Sequence, residues 1–375
     1  MIVYVIGFIL TIYFAYHSHS YYRVYCNNKE KYLNNQVTLY KVKESKRTYL
    51  LFLLLAILPL GLISGFRYGI GTDYFYTYSP NFYKILNGES PYSEFGFNLL
   101  NRIIQLFSHK DTALFLVTSL IFSVLLVKTI IKYSNNVIFS FVVVFISCIY
   151  FISLNNVRQS IASIIMLASF PYFMKRDTIK VLLCCLIGMV FHYTSIIILI
   201  AYIACHIKFI QKHFLLFCIA AIISLPILAL VFKQIASHTK YYYYFISDFN
   251  NNRSTTILIL YNFIFFALFL IRMYKFRLSD KRCHIFLMMQ FFALWFSLLS
   301  LFVPISEMIS RIVNFFLVFQ VLAVPYMGLK TNFKSNRLAF NAIYITAYST
   351  YMIYYIVIMG YHAVLPYYSI FSLGM

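Results

Sequence analysis

The 375-residue sequence predicts an all-α, polytopic integral membrane protein of about ten to twelve transmembrane helices. Hydrophobic residues make up 62% of it and only 11% are charged. Apolar runs of about 20 residues recur from end to end, and at ~1.5 Å of rise per residue each can cross ~30 Å of hydrocarbon as a helix. The alternating ten-residue pattern of a membrane barrel is missing. The formal charge of +21 would suggest a nucleic-acid partner in a soluble protein, but the basic residues sit in short loops between apolar runs. No nucleic acid is expected. Seven cysteines, largely inside apolar segments and without metal-ligand spacing, read as small apolar residues.

Met1 to Tyr22 is an apolar segment without a basic leader or a small-residue cleavage site, so it is expected to be a retained first span. The loop Arg23 to Arg47 carries seven Lys/Arg against two Glu, which places it in the cytoplasm and the N-terminus outside. Thr48 to Ile63 then leads outward. An external loop over 66–111 is punctuated by Pro80, Gly88 and Pro91. It contains Phe97, Leu100, Ile103, Ile104 and Phe107 at helical spacing, the pattern of a short amphipathic helix. Spans follow at 112–131 and 137–154, then an external turn at 155–159, then a span from 160 to 174 that returns to the basic Lys175-Arg176-Asp177 loop.

The segment Ile179 to His206 decides the topology. If it crossed once, the strongly basic 272–282 loop would lie outside, against the positive-inside tendency. A turn back at Phe191-His192-Tyr193-Thr194 removes that conflict. Two half-helices of about 13 residues, meeting near His192 and too short to span alone, are therefore expected as a re-entrant or broken element packed within protein. Spans at 214–232, 254–271, 284–303, 309–328 and 338–358 complete a single polytopic domain over 1–375, with a second external loop at 233–253 and an external C-terminus. Tyr241 to Tyr244 in that loop suit an interfacial aromatic anchor or a sugar platform.

The most unusual stretch is Gly65-Phe66-Arg67-Tyr68-Gly69-Ile70-Gly71-Thr72-Asp73-Tyr74, which puts ionisable groups and flexible glycines where a membrane helix reaches water. On the loop-charge topology Arg67, Asp73, Arg158, Gln159, His192, Glu307 and Arg311 all gather at the external boundary. Blander roles exist for each: an Arg67 to Asp73 ion pair, snorkelling arginines, a turn-capping Asp73, a histidine satisfying its own turn. Arginines at such a boundary suit a phosphate ligand, because the planar guanidinium makes paired charge-assisted bonds. Outside the cell neither ATP nor nucleotide sugars are available, so the natural phosphate substrates there are lipid-linked.

The Gly65–Tyr74 stretch, then Asn156-Val157-Arg158-Gln159-Ser160-Ile161-Ala162, then Phe191-His192-Tyr193-Thr194-Ser195 resemble, in order and spacing, the EpsG branch of Wzy-type bacterial polysaccharide polymerases. Glu307 and Arg311 before a late span and a terminal Leu365-Pro366-Tyr367 add to the resemblance. It implies an enzyme of the bacterial cytoplasmic (inner) membrane, active on the external face, that builds O-antigen, capsule or exopolysaccharide. A glycan chain would pass from undecaprenyl diphosphate to the sugar hydroxyl of a lipid-linked repeat unit. Arg158 and Arg311, with Arg67 as a third contact, are the expected diphosphate ligands. His192 is the first choice of base and Asp73 the second, and Gln159, Glu307 and Tyr74 are expected substrate contacts.

No Asp-x-Asp pair or glycine-rich phosphate loop is present, so neither metal nor cofactor is expected. The implied partners are the undecaprenyl-diphosphate-linked oligosaccharide, the lipid bilayer, and a chain-length regulator and flippase of the same pathway. The rival readings are an O-antigen ligase, for which the late external loop is short, and a lipid-linked oligosaccharide flippase, for which charge would spread across the membrane depth.

Overall fold

The computed structural model describes residues 1–238, 252–275, 280–303, 306–329 and 334–372. The described residues form helices and short connections with no β-strand among them, an all-α polytopic membrane architecture. Among the described residues, five helices are long and apolar enough to cross a membrane, and three pairs of helices qualify as single spans broken by a bend, which gives up to eight.

Helices α1 (Ile2–Leu33) and α2 (Leu39–Gly65) pack side by side. Small residues let these apolar surfaces approach: Ser18 Oγ donates to the Tyr49 carbonyl at 3.2 Å, and Ser64 and Ser119 share a 2.8 Å hydroxyl contact between α2 and α5 (Asp111–Tyr133). Between α2 and α5 the chain makes a π-helical turn at Tyr74–Tyr78, then α3 (Ser79–Leu86) and α4 (Phe95–Gln105). Helix α4 is the expected amphipathic helix, displaced by two residues. It packs Phe97 and Ile104 into a separate aromatic cluster with Tyr74, Tyr78, Phe82, Tyr92 and Phe115.

The next span is broken into α6 (Val137–Ile146) and α7 (Ile149–Asn155), which meet at 52° where Cys148 takes a left-handed backbone. Helix α8 (Val157–Ala168) and the short α9 (Phe170–Lys175) follow. Helix α10 (Thr178–Phe191) then ends at His192, and a 3-10 turn leads into α11 (Ile198–His206).

The chain folds back there. Thr178 Oγ1 and Tyr202 OH lie 2.7 Å apart, although a continuous helix would hold them ~36 Å apart at 1.5 Å per residue. Cys185 and Ser195 exchange side-chain to backbone contacts in the same way.

After the short α12 (Lys208–Lys212) come a second bent pair, α13 (Phe214–Ile223) and α14 (Leu225–Ser237), and the long α15 (Asn252–Lys275) and α16 (Lys281–Leu299). Helix α17 (Ser306–Leu317) and α18 (Gln320–Leu329) form the third bent pair, and α19 (Lys334–Met352) precedes a π-helical segment, Ile353–Ile358. A buried polar chain ties this half together: Asn262 donates to Ser297, Gln290 to Asn262, and Gln320 and Tyr344 close it. Each group finds a partner, as a buried network requires. The 233–253 loop falls mostly on residues 239–251, and Tyr241 to Tyr244 lie outside the described residues.

The last described residues, 360–372, form a strap across the loop at the end of α2. The Tyr68 N–H donates to the Tyr368 carbonyl at 3.0 Å, Ile370 N–H to Phe66 at 2.9 Å, and Gly71 N–H to Ala363 at 3.2 Å. Gly71 is required here: its φ is +97°, and a Cβ would lie 2.7 Å from the Leu154 carbonyl.

Candidate functional site

Glu94, Arg158 and His192 come from three separate elements and meet at one end of the bundle. Glu94 precedes α4 as its N-cap residue, Arg158 lies in the first turn of α8, and His192 closes α10 in an extended conformation at the fold-back. A side chain at Gly96 would collide with Val190, at 2.8 Å from its carbonyl oxygen, so glycine lets the start of α4 sit against the end of α10. Tyr193 OH donates to the Ser93 carbonyl at 2.6 Å and fastens the same junction.

Arg158 Nη1 donates to Glu94 Oε2 at 2.6 Å, and His192 Nδ1 is 3.2 Å from Glu94 Oε1. Glu94 is nearly inaccessible, whereas the Arg158 and His192 side chains are 22% and 18% exposed, so the carboxylate holds two groups that reach outward. Burial alone would raise the Glu94 carboxyl pKa, yet the His192 hydrogen bond and the Arg158 charge outweigh it and hold the carboxyl at about 2. An ionised Glu94 has no proton to give. Its bond to His192 therefore requires Nδ1–H as donor, which leaves Nε2 of a neutral ring as the proton acceptor. The Arg158 guanidinium lies over the Tyr92 ring at 4.7 Å, and its Nε is buried without a hydrogen-bond partner. The His192 ring stacks on Phe315 of α17 at 6.2 Å.

Beside this cluster lies a cavity of about 610 Å³ lined by Thr72, Asp73, Tyr76, Asn155, Arg311, Tyr355, Tyr361 and His362. Asn155, at the end of α7, organises its wall. Its Oδ1 accepts from the Asp73 N–H at 2.8 Å and from Thr72 Oγ1 at 3.0 Å, and its Nδ2 meets His362 Nδ1 at 3.0 Å. Gln159 Nε2 donates to the Arg311 carbonyl and links α8 to α17, while Gln159 Oε1 is buried without a partner. The charges of Arg158 and Arg311 both bear on His192, so the cluster and the cavity adjoin.

The expected site residues are thus dispersed in a specific way. Arg158 and His192 share the Glu94 carboxylate, Asp73 and Arg311 share the cavity, and Gln159 joins the two. Arg67 is 1% exposed and turned into the bundle, where it donates to the carbonyls of Ser64, Ile70 and Leu154 and lies over the Phe115 ring at 4.6 Å. Tyr74 is 2% exposed, stacked on Phe115 at 4.2 Å, with its hydroxyl buried and unpartnered. The side chain of Glu307 lies outside the described residues. Among the described residues no three metal-ligating side chains come together.

Glu94, Asn155, Tyr355, Tyr361 and His362 do not emerge from sequence reasoning. The available signals were an acid placed as N-cap before an amphipathic helix, and an asparagine directly ahead of the quoted Arg158 motif.

A family model described as the EpsG family matches residues 50–369, a span that runs from within α2 into the strap and takes in both the cluster and the cavity. No curated protein and no solved structure matches the chain.

Proposed function

Because the chain belongs to the EpsG family, we propose that it is a membrane polysaccharide polymerase that lengthens a lipid-linked glycan. The family and the apolar helices support a polymerase-like role in polysaccharide synthesis. The finer reading is transfer from undecaprenyl diphosphate to a lipid-linked repeat unit on the external face of the bacterial cytoplasmic membrane. The observation that carries it is the Arg158–Glu94–His192 arrangement, which sets a cation beside a neutral histidine whose Nε2 accepts a proton.

In this reaction the bond between the chain's anomeric carbon and the diphosphate oxygen breaks, and a bond from that carbon to the acceptor hydroxyl oxygen forms. The bonding pair leaves with the diphosphate, and the hydroxyl proton passes to His192 Nε2. Glu94 fixes the ring orientation and stabilises the imidazolium that results. Arg158 and Arg311 neutralise the charge developing on the leaving diphosphate. Gln159 holds α17, and with it Arg311, against α8. Asp73 faces the acceptor side, and Glu307 stands four residues before Arg311 on α17. Arg67 and Tyr74 act from within the bundle, shaping the loop that carries Asp73. A chain-length regulator and a flippase would be the partners of such an enzyme.

The test is Arg158→Lys. Lysine keeps the charge but loses the paired planar bonds. Losing one well-aligned charge-assisted bond costs ~1.5–3 kcal/mol, or about ten- to a hundredfold in rate when the bond strengthens in the transition state. Membrane protein level should stay at wild type while the polymer ladder collapses toward single units, with exposed Arg102→Lys as the control. Full-length ladders from Arg158→Lys would remove the diphosphate role.

A further inference from the structure

The cavity beside the cluster has a chemistry of its own. Its lining holds one guanidinium and one carboxylate, Arg311 and Asp73, so it lacks the surplus positive charge that a diphosphate demands. The remainder is amide, hydroxyl, imidazole and tyrosine ring. Tyr355 and Tyr361 stack at 4.4 Å with 22° between their planes, and Tyr76 projects with 87% of its surface exposed. Mixed donors and acceptors suit a ligand with many hydroxyls, and flat rings suit its apolar C–H faces. At about 610 Å³ the space lies within the ~300–1,000 Å³ of ordinary small-molecule sites and has room for more than one sugar ring.

The backbone around it is costly to build. Gly360, His362 and Ala363 all take left-handed conformations with φ of +63°, +65° and +47°, and the Gly71 N–H, itself at a left-handed glycine, holds the Ala363 carbonyl. Strained non-glycine residues persist where the surroundings fix them, and they gather at ligand sites. His362 and Tyr361 line the cavity together with Thr72, Asp73 and Tyr76 of the facing loop.

We propose that the cavity between the 72–76 loop and the C-terminal strap is a sugar subsite that seats uncharged sugar residues of the repeat unit beside the diphosphate clamp, with Asp73, Asn155 and His362 meeting hydroxyls and Tyr76 and Tyr361 covering ring faces. The assignment rests on the polymerase reading for its substrate class. It divides the work: Arg158, with Arg311 where the cavity adjoins the Glu94 cluster, grips phosphate, and the strap selects the sugar. The sugars of the growing chain and of the incoming unit share this chemistry, and the experiment separates them.

The probe is the cell's own repeat-unit oligosaccharide, freed from lipid and phosphate by mild acid. It is titrated into the full-length protein in detergent and followed by saturation transfer to the sugar protons. Wild type should bind, and Tyr361→Ala and Tyr76→Ala should weaken binding by about tenfold, the scale of one lost ring contact. Tyr361→Phe should bind as wild type. Tyr368→Ala, on the same strap, should too, because the strap is held there through the Tyr368 carbonyl. Tyr76 is exposed enough that its removal leaves folding intact, so the test survives even if Tyr361→Ala does not fold.

In a polymerisation assay, extension of the free oligosaccharide into lipid-free product assigns the subsite to the incoming unit, and inhibition without extension assigns it to the growing chain. No saturation transfer to wild type, or equal binding by wild type and both alanine variants, overturns the proposal. Arg158→Lys should bind the phosphate-free probe normally. Full ladders from that variant would therefore sink the diphosphate reading alone, while a flat sugar titration would sink the subsite alone.

Discussion

Arg67 and Arg158 look alike in sequence, each an arginine at the end of an apolar run in a motif with aromatic neighbours. Both lie over an aromatic ring, Phe115 at 4.6 Å and Tyr92 at 4.7 Å. Their partners separate them. Arg67 is buried and donates to three backbone carbonyls, those of Ser64, Ile70 and Leu154, which are the loose ends left where α2 stops and α7 closes. Arg158 is partly exposed, pairs with a carboxylate that also holds a histidine, and keeps a buried Nε without a partner. An arginine that satisfies carbonyls is part of the scaffold, because helix ends in an apolar medium need donors. An arginine tied to a carboxylate and a histidine is equipped for chemistry.

The strongest way to break this comparison is Arg67→Ala. Three buried carbonyls would lose their donor at ~1–3 kcal/mol each, and a large buried side chain would leave a void. The expected result is a collapse of membrane protein level and of monodispersity in detergent, with polymer lost only because protein is lost. Arg158→Ala should do the reverse: with His192 still bonded to Glu94 the protein level should fall only modestly, and polymer should be lost far beyond the loss of protein. Stable protein from Arg67→Ala that fails to polymerise would move Arg67 into the site and erase the distinction.

A smaller effect is expected at the carboxylate. Glu94→Gln keeps the shape and loses the charge, so an amide oxygen holds the His192 Nδ1–H more weakly and the imidazolium is less stabilised. Misplacing or weakening a proton acceptor commonly costs about ten- to a hundredfold in rate. The rate should fall on that scale.

 Without the anionic partner the His192 ring binds its proton less tightly, so the neutral, proton-accepting form persists further into acid and the acid limb of the activity–pH profile moves to lower pH. An unchanged limb with a reduced rate would make Glu94 a structural tie between α4 and α8 and deny it the positioning role.

Next in size is Gly96→Ala. The added Cβ would meet Val190, so the start of α4 and the end of α10 must part. Overpacking of this kind costs ~1–3 kcal/mol, and it stretches the Glu94–His192 contact while leaving Arg67 and its carbonyls alone. Protein level should fall modestly and specific polymerisation further. A loss of level with full specific activity would uncouple the helix junction from the site.

The two arginines also show what a sequence can and cannot disclose. The membrane class and eight of the expected spans were legible because length and apolar composition dictate them, whereas among the described residues the expected spans at 160–174 and 338–358 are not long and apolar enough to cross, so the count falls short of ten to twelve. The fold-back at His192 was legible because loop charge forbids the alternative, and Thr178 beside Tyr202 shows it in the structure. Nothing comparable marks the bend at Ser147–Cys148, where the chain has neither proline nor glycine. Glu94 was hidden because it is one of several acids in a polar loop, and it becomes distinctive only when the fold-back delivers His192 from 98 positions away. His362 was hidden for a related reason: its place beside Asn155 depends on a strap that pairs with the far end of α2. Sequence patterns report burial and periodicity, whereas the partner of a charge is set by tertiary contacts.

The smallest expected effect concerns acid. Glu94 is held at about 2, below the ordinary 4.5, by His192 and Arg158. A carboxyl whose folded-state pKa is depressed contributes stability that is fully present above the unfolded value and is lost as pH falls toward the folded one. The contribution should therefore be intact at neutral pH, begin to fade near 4.5 and be gone near 2. Arg67 bonds to carbonyls, which do not titrate, so its contribution should be flat over the same window. The measurement is the thermal midpoint of the detergent-solubilised protein, wild type minus Glu94→Gln, across that range. A difference that shrinks as pH falls from 4.5 toward 2 supports the ionised clamp. A constant difference would mean that Glu94 acts through shape or neutral hydrogen bonding, and the contrast between the two arginines would then rest on geometry alone.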